Sequence, residues 1–201
     1  MFSNLTFSPF LRGKSHGQKI AFLGVLTAIN VVFNSFFEFR TLDVQFSFTI
    51  LVSILTGIIS GGFSGFFVCV LADFIGYLIN SFGFLYMPWV GLSTGVLALF
   101  AGLIFYKDSK KYLLKGIIIC IFSLIVCTVL INSTGFYFYN KIMGFSTAVL
   151  SYVNSVFGKN VSYIAYVSYR LMFKGQIYNN IFNYALLFVV LPVFKKIKIL
   201  K

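Results

Sequence analysis

The chain has 201 residues, of which 59% are hydrophobic, 20% aromatic and only 10% charged, and its mean hydropathy is +0.95. Soluble domains carry about 25% charged residues, so this composition excludes an ordinary soluble protein and indicates an integral protein of a lipid membrane. The excess of 16 Lys and Arg over four acids does not indicate nucleic-acid binding, because the basic residues cluster at the ends of apolar runs and no nucleic-acid-binding motif accompanies them.

Six apolar segments are candidates for transmembrane helices, each of which takes about 20 residues. They lie at about 18–37, 44–60, 62–80, 88–106, 113–135 and 176–194. The flanking segments are an N-terminal stretch (1–17), a charged loop (107–112) and a basic tail (195–201). We therefore predict one membrane domain (1–201) of all-α fold with six transmembrane helices, the first four of them within residues 18–106.

The longest connection, residues 136–175, lies between the fifth and sixth spans and is rich in aromatic and polar residues. It contains no clean apolar run of 20 residues, so we predict a loop rather than another span. Residues 145–157 within it are predicted to form a short interfacial helix, because 13 residues are too few to cross the hydrocarbon core.

The distribution of basic residues predicts the orientation. With six spans both termini lie on one side, and that side carries eleven of the 16 basic residues. The other side carries five: Arg40, Lys141, Lys159, Arg170 and Lys174. Since Lys and Arg accumulate in cytoplasmic loops, we expect both termini in the cytoplasm and residues 136–175 outside the cell. A seventh span within 136–175 would place the C-terminal lysines outside, against this rule.

Small residues four positions apart mark surfaces where membrane helices approach closely. Four such pairs occur: Gly24 with Ala28, Gly61 with Gly65, Gly91 with Gly95, and Ala98 with Gly102. We interpret the last three pairs as packing within the chain. The first pair has two readings, because the first helix can present this face to its own bundle or to another subunit.

Polar side chains concentrate in the predicted outer halves of the spans, where a polar group usually faces a partner or a cavity. This asymmetry predicts an outward-opening pocket that suits a flat heteroaromatic solute, with amides for its edge and aromatic rings for its faces. The alternative is that the same groups only bind one helix to another. The candidate residues are Arg40, Asp73, Asn80, Tyr86, Trp89, Asn132, Arg170, Gln176 and Asn180.

An enzymatic function is not predicted. The single histidine, His16, lies near the N-terminus, and three cysteines inside apolar runs suggest neither a metal site nor disulfides. Gly13-Lys14-Ser15 resembles the end of a phosphate-binding loop, but Ser8 stands where that loop needs glycine. We therefore expect no metal, no cofactor and no ATPase activity, and favour a binding protein powered by another subunit. The alternatives are a stand-alone secondary carrier and a structural membrane protein without a ligand.

The order of four motifs resembles a known family. Residues 40–48 (Arg-Thr-Leu-Asp-Val-Gln-Phe-Ser-Phe), 61–65 (Gly-Gly-Phe-Ser-Gly), 72–77 (Ala-Asp-Phe-Ile-Gly-Tyr) and 83–88 (Gly-Phe-Leu-Tyr-Met-Pro) are similar to the S component of energy-coupling factor (ECF) vitamin transporters, most closely its folate-type branch. The resemblance covers residues 18–106 well and continues more weakly at Asn132-Ser133-Thr134 and Arg170.

This resemblance implies a six-helix subunit of the bacterial cell membrane that captures a vitamin at its extracellular side. Folate is the first candidate, ahead of riboflavin or pantothenate. The subunit would associate with a transmembrane coupling subunit and two cytoplasmic ATPases and topple in the membrane to release its substrate. The family's docking face on the first helix corresponds to Gly24 and Ala28, where Gly24 replaces a common alanine. The length of residues 136–175 is a further departure from the folate branch.

In this picture Asp73, Asn132 and Asn180 hydrogen-bond the ring system of the vitamin. Trp89 and Tyr86 stack on it or cover it, and Arg40 or Arg170 binds an anionic group.

Overall fold

The computed structural model describes residues 6–41, 44–79, 85–106, 111–158 and 160–196. In chain order the elements are α1 (Pro9–Arg12), α2 (His16–Ser35), β1 (Glu38–Thr41), β2 (Val44–Ser47), α3 (Thr49–Ser60), α4 (Gly62–Ile79), α5 (Pro88–Ile104), α6 (Tyr112–Met143), α7 (Thr147–Phe157), α8 (Tyr163–Ser168, continued as a π-helix over Tyr169–Phe173) and α9 (Gln176–Lys196). Apart from one small β-hairpin, the secondary structure of the described residues is helical, as expected for a helical membrane protein.

Four of these helices, α2, α4, α6 and α9, are long and apolar enough to cross a membrane. The helices α3, with 12 residues, and α5, with 17 residues, are apolar but shorter. Each of the six predicted spans therefore coincides with a helix, whereas only four of those helices reach spanning length within the described residues.

A β-hairpin occupies the start of the second predicted span. The strand Val44–Ser47 pairs antiparallel with Glu38–Thr41, with Phe46 opposite Phe39. The four residues of β2 alternate apolar and polar, which is the period of a strand rather than of a helix. The prediction of a helix from residue 44 is therefore wrong, since α3 begins only at Thr49.

The fifth span is longer than predicted, and much of the connection after it is helical. The helix α6 continues past residue 135 and ends at Met143. The next residue, Gly144, has a φ of 97°, a conformation that residues with a side chain rarely adopt. Its middle part, Ser123–Ser133, is a π-helix. The helices α7 and α8 follow and enclose a small core built on Val153, Ala165 and Tyr166.

The centre of the bundle is held together by helices that touch through their backbones. A Cβ atom at Gly57 on α3 would lie 2.0 Å from the carbonyl oxygen of Ala98 on α5. A Cβ at Gly102 on α5 would lie 2.4 Å from the backbone nitrogen of Gly62 on α4. Side chains larger than glycine would separate these helices, so α3, α4 and α5 form a tight unit on which the other helices pack.

One end of the bundle gathers both ends of the described chain. The Ser8 amide donates to the Ser60 carbonyl oxygen at 2.9 Å, which binds the N-terminal segment to the turn between α3 and α4. Arg12 contacts Tyr106 just after α5, and Lys195 near the end of α9 lies over the Tyr112 ring at the start of α6. The hairpin and the segment before α5 lie at the opposite end.

Candidate functional site

Two amides of α9 fix the hairpin and α3 to the last helix. The Asn183 side-chain oxygen accepts the Leu51 amide at 3.0 Å, and its nitrogen donates to the Ser47 carbonyl oxygen at 2.7 Å. Asn179 accepts the Ser47 amide at 2.9 Å. The cap residue of α3, Phe48, has no side-chain acceptor for the free amides of the first turn, so Asn183 supplies one from another helix. Asn179 and Asn183 are therefore structural.

Asn180 faces a different neighbour, the helix α6. Its side-chain nitrogen donates to the Thr128 hydroxyl at 3.2 Å. Its side-chain oxygen is buried and has no hydrogen-bond partner among the described residues. A buried acceptor without a donor is unusual, because leaving it unpaired costs about 1–3 kcal/mol.

Asn132 on α6 repeats this arrangement. Its side-chain nitrogen donates to the Ser93 hydroxyl on α5 at 2.9 Å, and its buried oxygen finds no donor in the part of the chain that the structure describes. The indole nitrogen of Trp89, one turn before Ser93, is likewise buried without an acceptor among those residues. The region therefore combines two unused acceptors with one unused donor.

The Trp89 ring lies against α6 because that helix has a glycine there. A Cβ atom at Gly135 would lie only 2.3 Å from the ring carbon Cγ of Trp89. The ring also contacts Phe136 and Tyr139, with centroid distances of 5.7 Å and 6.0 Å. The tryptophan is thereby held between α5 and the aromatic end of α6.

Arg170 brings a positive charge to the same part of α6. It donates to the Ser133 hydroxyl at 3.3 Å, and its guanidinium lies 4.3 Å from the Phe136 ring centroid. Burial lowers the pKa of Arg170, but arginine stays protonated in proteins. We call Trp89, Asn132, Arg170 and Asn180 the polar cluster.

The polar cluster is assembled by one stretch of α6. Thr128, Asn132, Ser133 and Phe136 each contact a cluster member or belong to the cluster, and three of them lie in the π-helix. A π-helix turns its side chains out of the usual α-helical register, and such segments are frequent at functional sites.

Asp73 lies outside the polar cluster and has protein partners. Its carboxylate accepts hydrogen bonds from the Tyr86 hydroxyl and the Gly91 amide. Burial, together with the negative charge of Asp73, raises the pKa of Tyr86 to about 12, so the hydroxyl is protonated at neutral pH and can donate. This contact ties the segment before α5 to α4, and a ligand contact by either residue stays a prediction.

The other predicted site residues have simpler positions. Asn80 lies outside the described residues, and Arg40 belongs to β1 with its side chain outside them. Gln176 is half-buried as the first residue of α9. The sequence prediction did not include Ser93 or Thr128, because a small hydroxyl side chain in an apolar helix gives no sign of its partner. Ser133 belongs to the Asn132-Ser133-Thr134 motif but was not predicted as a site residue.

A separate apolar groove of about 790 Å³ runs between α4 and α5. Its lining includes Phe67, Leu71 and Leu92, which are 67%, 51% and 45% exposed. These side chains belong to membrane helices and point away from the bundle, so lipid is their natural neighbour. Trp89 belongs to the polar cluster and also lines this groove, but the unpaired hydrogen-bonding groups lie on the cluster side.

Comparisons with known proteins place this geometry in a family. A family model described as "ECF-type riboflavin transporter, S component" matches residues 14–170. No curated protein gives a significant match to the sequence. Among six matching chains of known structure is that described as "FolT bound with folic acid", with a TM-score of 0.58 and 23% identity over 84% of this chain and 92% of that chain. At this identity the likeness shows a shared fold. Because the family match spans well over half of its length, the chain belongs to the family of ECF-type riboflavin transporter S components, which are substrate-binding components of transporters rather than enzymes.

Proposed function

We propose that this protein is the S component of an ECF-type importer in a bacterial cell membrane, where it binds a vitamin at the extracellular side. The observation that carries the proposal is the polar cluster. In a family of substrate-binding subunits, buried donors and acceptors without protein partners are best explained as ligand contacts.

The proposed topology has six transmembrane helices and cytoplasmic termini. The two shorter helices α3 and α5 pack backbone to backbone within the bundle, which supports their crossing together with the longer helices. The contacts of Arg12 with Tyr106 and of Lys195 with Tyr112 bring both ends of the described chain to one side, as an even number of crossings requires. Basic residues concentrate at that side, which favours the cytoplasm.

The proposed docking face for the coupling subunit lies on α2. Gly24 and Ala28 are both exposed, and a Cβ atom at Gly24 would meet no atom within 4 Å. Only 17% of the α2 span is buried, against 39% for α4. A helix with an uncovered small-residue face can receive another helix closely, and the two cytoplasmic ATPases would act through that coupling subunit.

Folate is our first candidate substrate and riboflavin the second. The FolT structure was solved with folic acid, and the matching family is described by riboflavin. Both vitamins carry a flat fused heterocycle with amide-like edges. Asn132 and Asn180 can accept from such an edge, Trp89 can donate to it, and Phe136 and Tyr139 offer aromatic faces.

The first test is native mass spectrometry of the detergent-purified protein, followed by denaturing extraction and identification of any bound small molecule. Quenching of Trp89 fluorescence during titration with folate and with riboflavin gives the affinity, since Trp89 is the only tryptophan. A stoichiometric vitamin supports the proposal. A protein that carries none and binds neither vitamin refutes capture of these substrates and favours a structural role.

The docking face is tested by Ala28→Trp, with solute binding measured by equilibrium dialysis and uptake measured in cells with a coupling module. We expect uptake to fail while solute binding stays unchanged, because the bulky ring blocks close helix approach. Ile29→Trp is the matched control: Ile29 is also exposed but lies about 120° around the helix from the midpoint of Gly24 and Ala28. Equal loss of uptake in both variants would contradict the assigned face.

A further inference from the structure

Arg170 is a half-buried cation without an acidic partner among the described residues. Its neighbours are the Ser133 hydroxyl, the Phe136 ring and the side chains of Tyr163 and Tyr166. A hydroxyl and aromatic rings solvate a guanidinium in part, but none of them carries a compensating negative charge. A partly desolvated cation attracts an anion more strongly than a cation in open water does, so this position favours an anion from outside the chain.

The cation is joined to the rest of the polar cluster through α6. Ser133, its hydrogen-bond partner, follows directly after Asn132, which has an unused acceptor. Phe136, its stacking partner, contacts the Trp89 ring, whose indole nitrogen is an unused donor. The charge and the unpaired hydrogen-bonding groups therefore belong to one site.

We infer that the substrate carries an anionic group, a carboxylate or a phosphate, and that Arg170 binds it. This inference rests on the proposed function and narrows its substrate class. The planar guanidinium can hold either oxyanion through two parallel hydrogen bonds. The Asn132 and Asn180 oxygens then face N–H groups of the heterocycle, while the Trp89 nitrogen faces one of its acceptors. Riboflavin is neutral and offers no anion to Arg170, whereas a carboxylate of folate or the phosphate of flavin mononucleotide can pair with its guanidinium.

Two matched ligand pairs test this charge selection in the full-length protein in detergent. Flavin mononucleotide and riboflavin differ by a phosphate, and folate and its dimethyl ester differ by the charge of two carboxylates. We expect the anionic member of at least one pair to bind about 10- to 100-fold more tightly, the range for a charged hydrogen bond. The pair that shows the preference identifies the source of the anion.

The preference should disappear in Arg170→Gln and survive in part in Arg170→Lys. Lys174→Gln is the control, because Lys174 is an exposed cation one turn further along the chain. It should keep the wild-type preference. Melting of each variant without ligand separates misfolding from lost contact, and Arg170→Lys carries the test if Arg170→Gln does not fold.

Several outcomes overturn the inference. If neither pair shows tighter binding of its anionic member, and Arg170→Gln changes neither affinity, Arg170 takes no part in ligand selection, although the vitamin-binding function stays intact. A preference that Lys174→Gln abolishes equally reflects surface charge rather than the site. Failure of the wild-type protein to bind any of the four compounds refutes the proposed function itself, and the inference falls with it.

Discussion

The same substitution, asparagine to alanine, can distinguish a ligand contact from a structural hydrogen bond when it is made at Asn180 and at Asn183 on α9. Both side chains are 1% exposed and lie less than one turn apart on α9. Asn183 satisfies the Leu51 amide and the Ser47 carbonyl oxygen, whereas Asn180 donates once to Thr128 and leaves its oxygen unpaired. We predict that Asn183→Ala lowers stability and that Asn180→Ala lowers ligand affinity.

The magnitudes follow from the groups that lose partners. Asn183→Ala leaves two backbone groups unpaired at about 1–3 kcal/mol each and regains about 0.5 kcal/mol of helix propensity. Polar contacts in membrane proteins measure at the low end of such ranges, so we expect a loss of about 2 kcal/mol. Asn180→Ala loses one bond worth about 0.6 kcal/mol, gains the same propensity and removes an unpaired buried oxygen that costs about 1–3 kcal/mol, so the ligand-free protein should not lose stability.

The assay is melting of the ligand-free protein in detergent together with equilibrium binding of folate and riboflavin. Asn183→Ala should melt at a lower temperature than the wild type, whereas Asn180→Ala should melt no lower than the wild type. Asn180→Ala should bind its vitamin about 5- to 30-fold more weakly, which corresponds to the loss of one hydrogen bond of about 1–2 kcal/mol. If Asn180→Ala is as unstable as Asn183→Ala and binds with unchanged affinity, Asn180 is an interhelical contact and the site reasoning fails there.

Two further predictions concern close backbone approach. Gly57→Ala should destabilise the protein by about 1–3 kcal/mol, because its Cβ atom would overlap the Ala98 carbonyl oxygen. The control Gly24→Ala should be neutral or slightly stabilising, because that Cβ atom meets no other atom. Equal melting temperatures of the two variants would contradict the tight contact between α3 and α5. Gly135→Ala should displace the Trp89 ring, shift its fluorescence emission and weaken vitamin binding; an unchanged spectrum and affinity would show that the ring does not depend on this contact.

Composition and periodicity were sufficient to predict the class of protein and the helix order, but not the partners of individual amides. Helical spacing places Asn179, Asn180 and Asn183 on one side of α9. It could not separate them, because Asn179 and Asn183 meet the end of a hairpin and the start of α3. Those partners are distant in sequence, so only the folded arrangement distinguishes structural amides from candidate ligand contacts.

The local sequence also does not predict that α6 continues beyond residue 135. Hydrophobicity falls after residue 135, which suggested the end of a span, yet the helix continues because its aromatic side chains pack on other helices. Tyr137 contacts Tyr163 and Tyr166 with centroid distances of 5.6 Å and 5.7 Å. Tertiary contacts of this kind override a hydropathy boundary, and they create the surface that receives Trp89 and Arg170.

The position of α2 argues that substrate binding and coupling can be altered independently. Its inner side is fixed by Asn30, which donates to the Thr56 hydroxyl on α3 at 2.7 Å. At 3.6 residues per turn, Asn30 lies about 140° around the helix from the midpoint of Gly24 and Ala28, so the exposed pair points away from the bundle. The polar cluster lies on α5, α6, α8 and α9, while α2 packs on α3 and α4. A partner docked on Gly24 and Ala28 therefore does not touch the site, which it reaches through the α3–α5 unit and through the hairpin that contacts α9. We accordingly expect it to move the subunit as a body rather than to reshape the polar cluster.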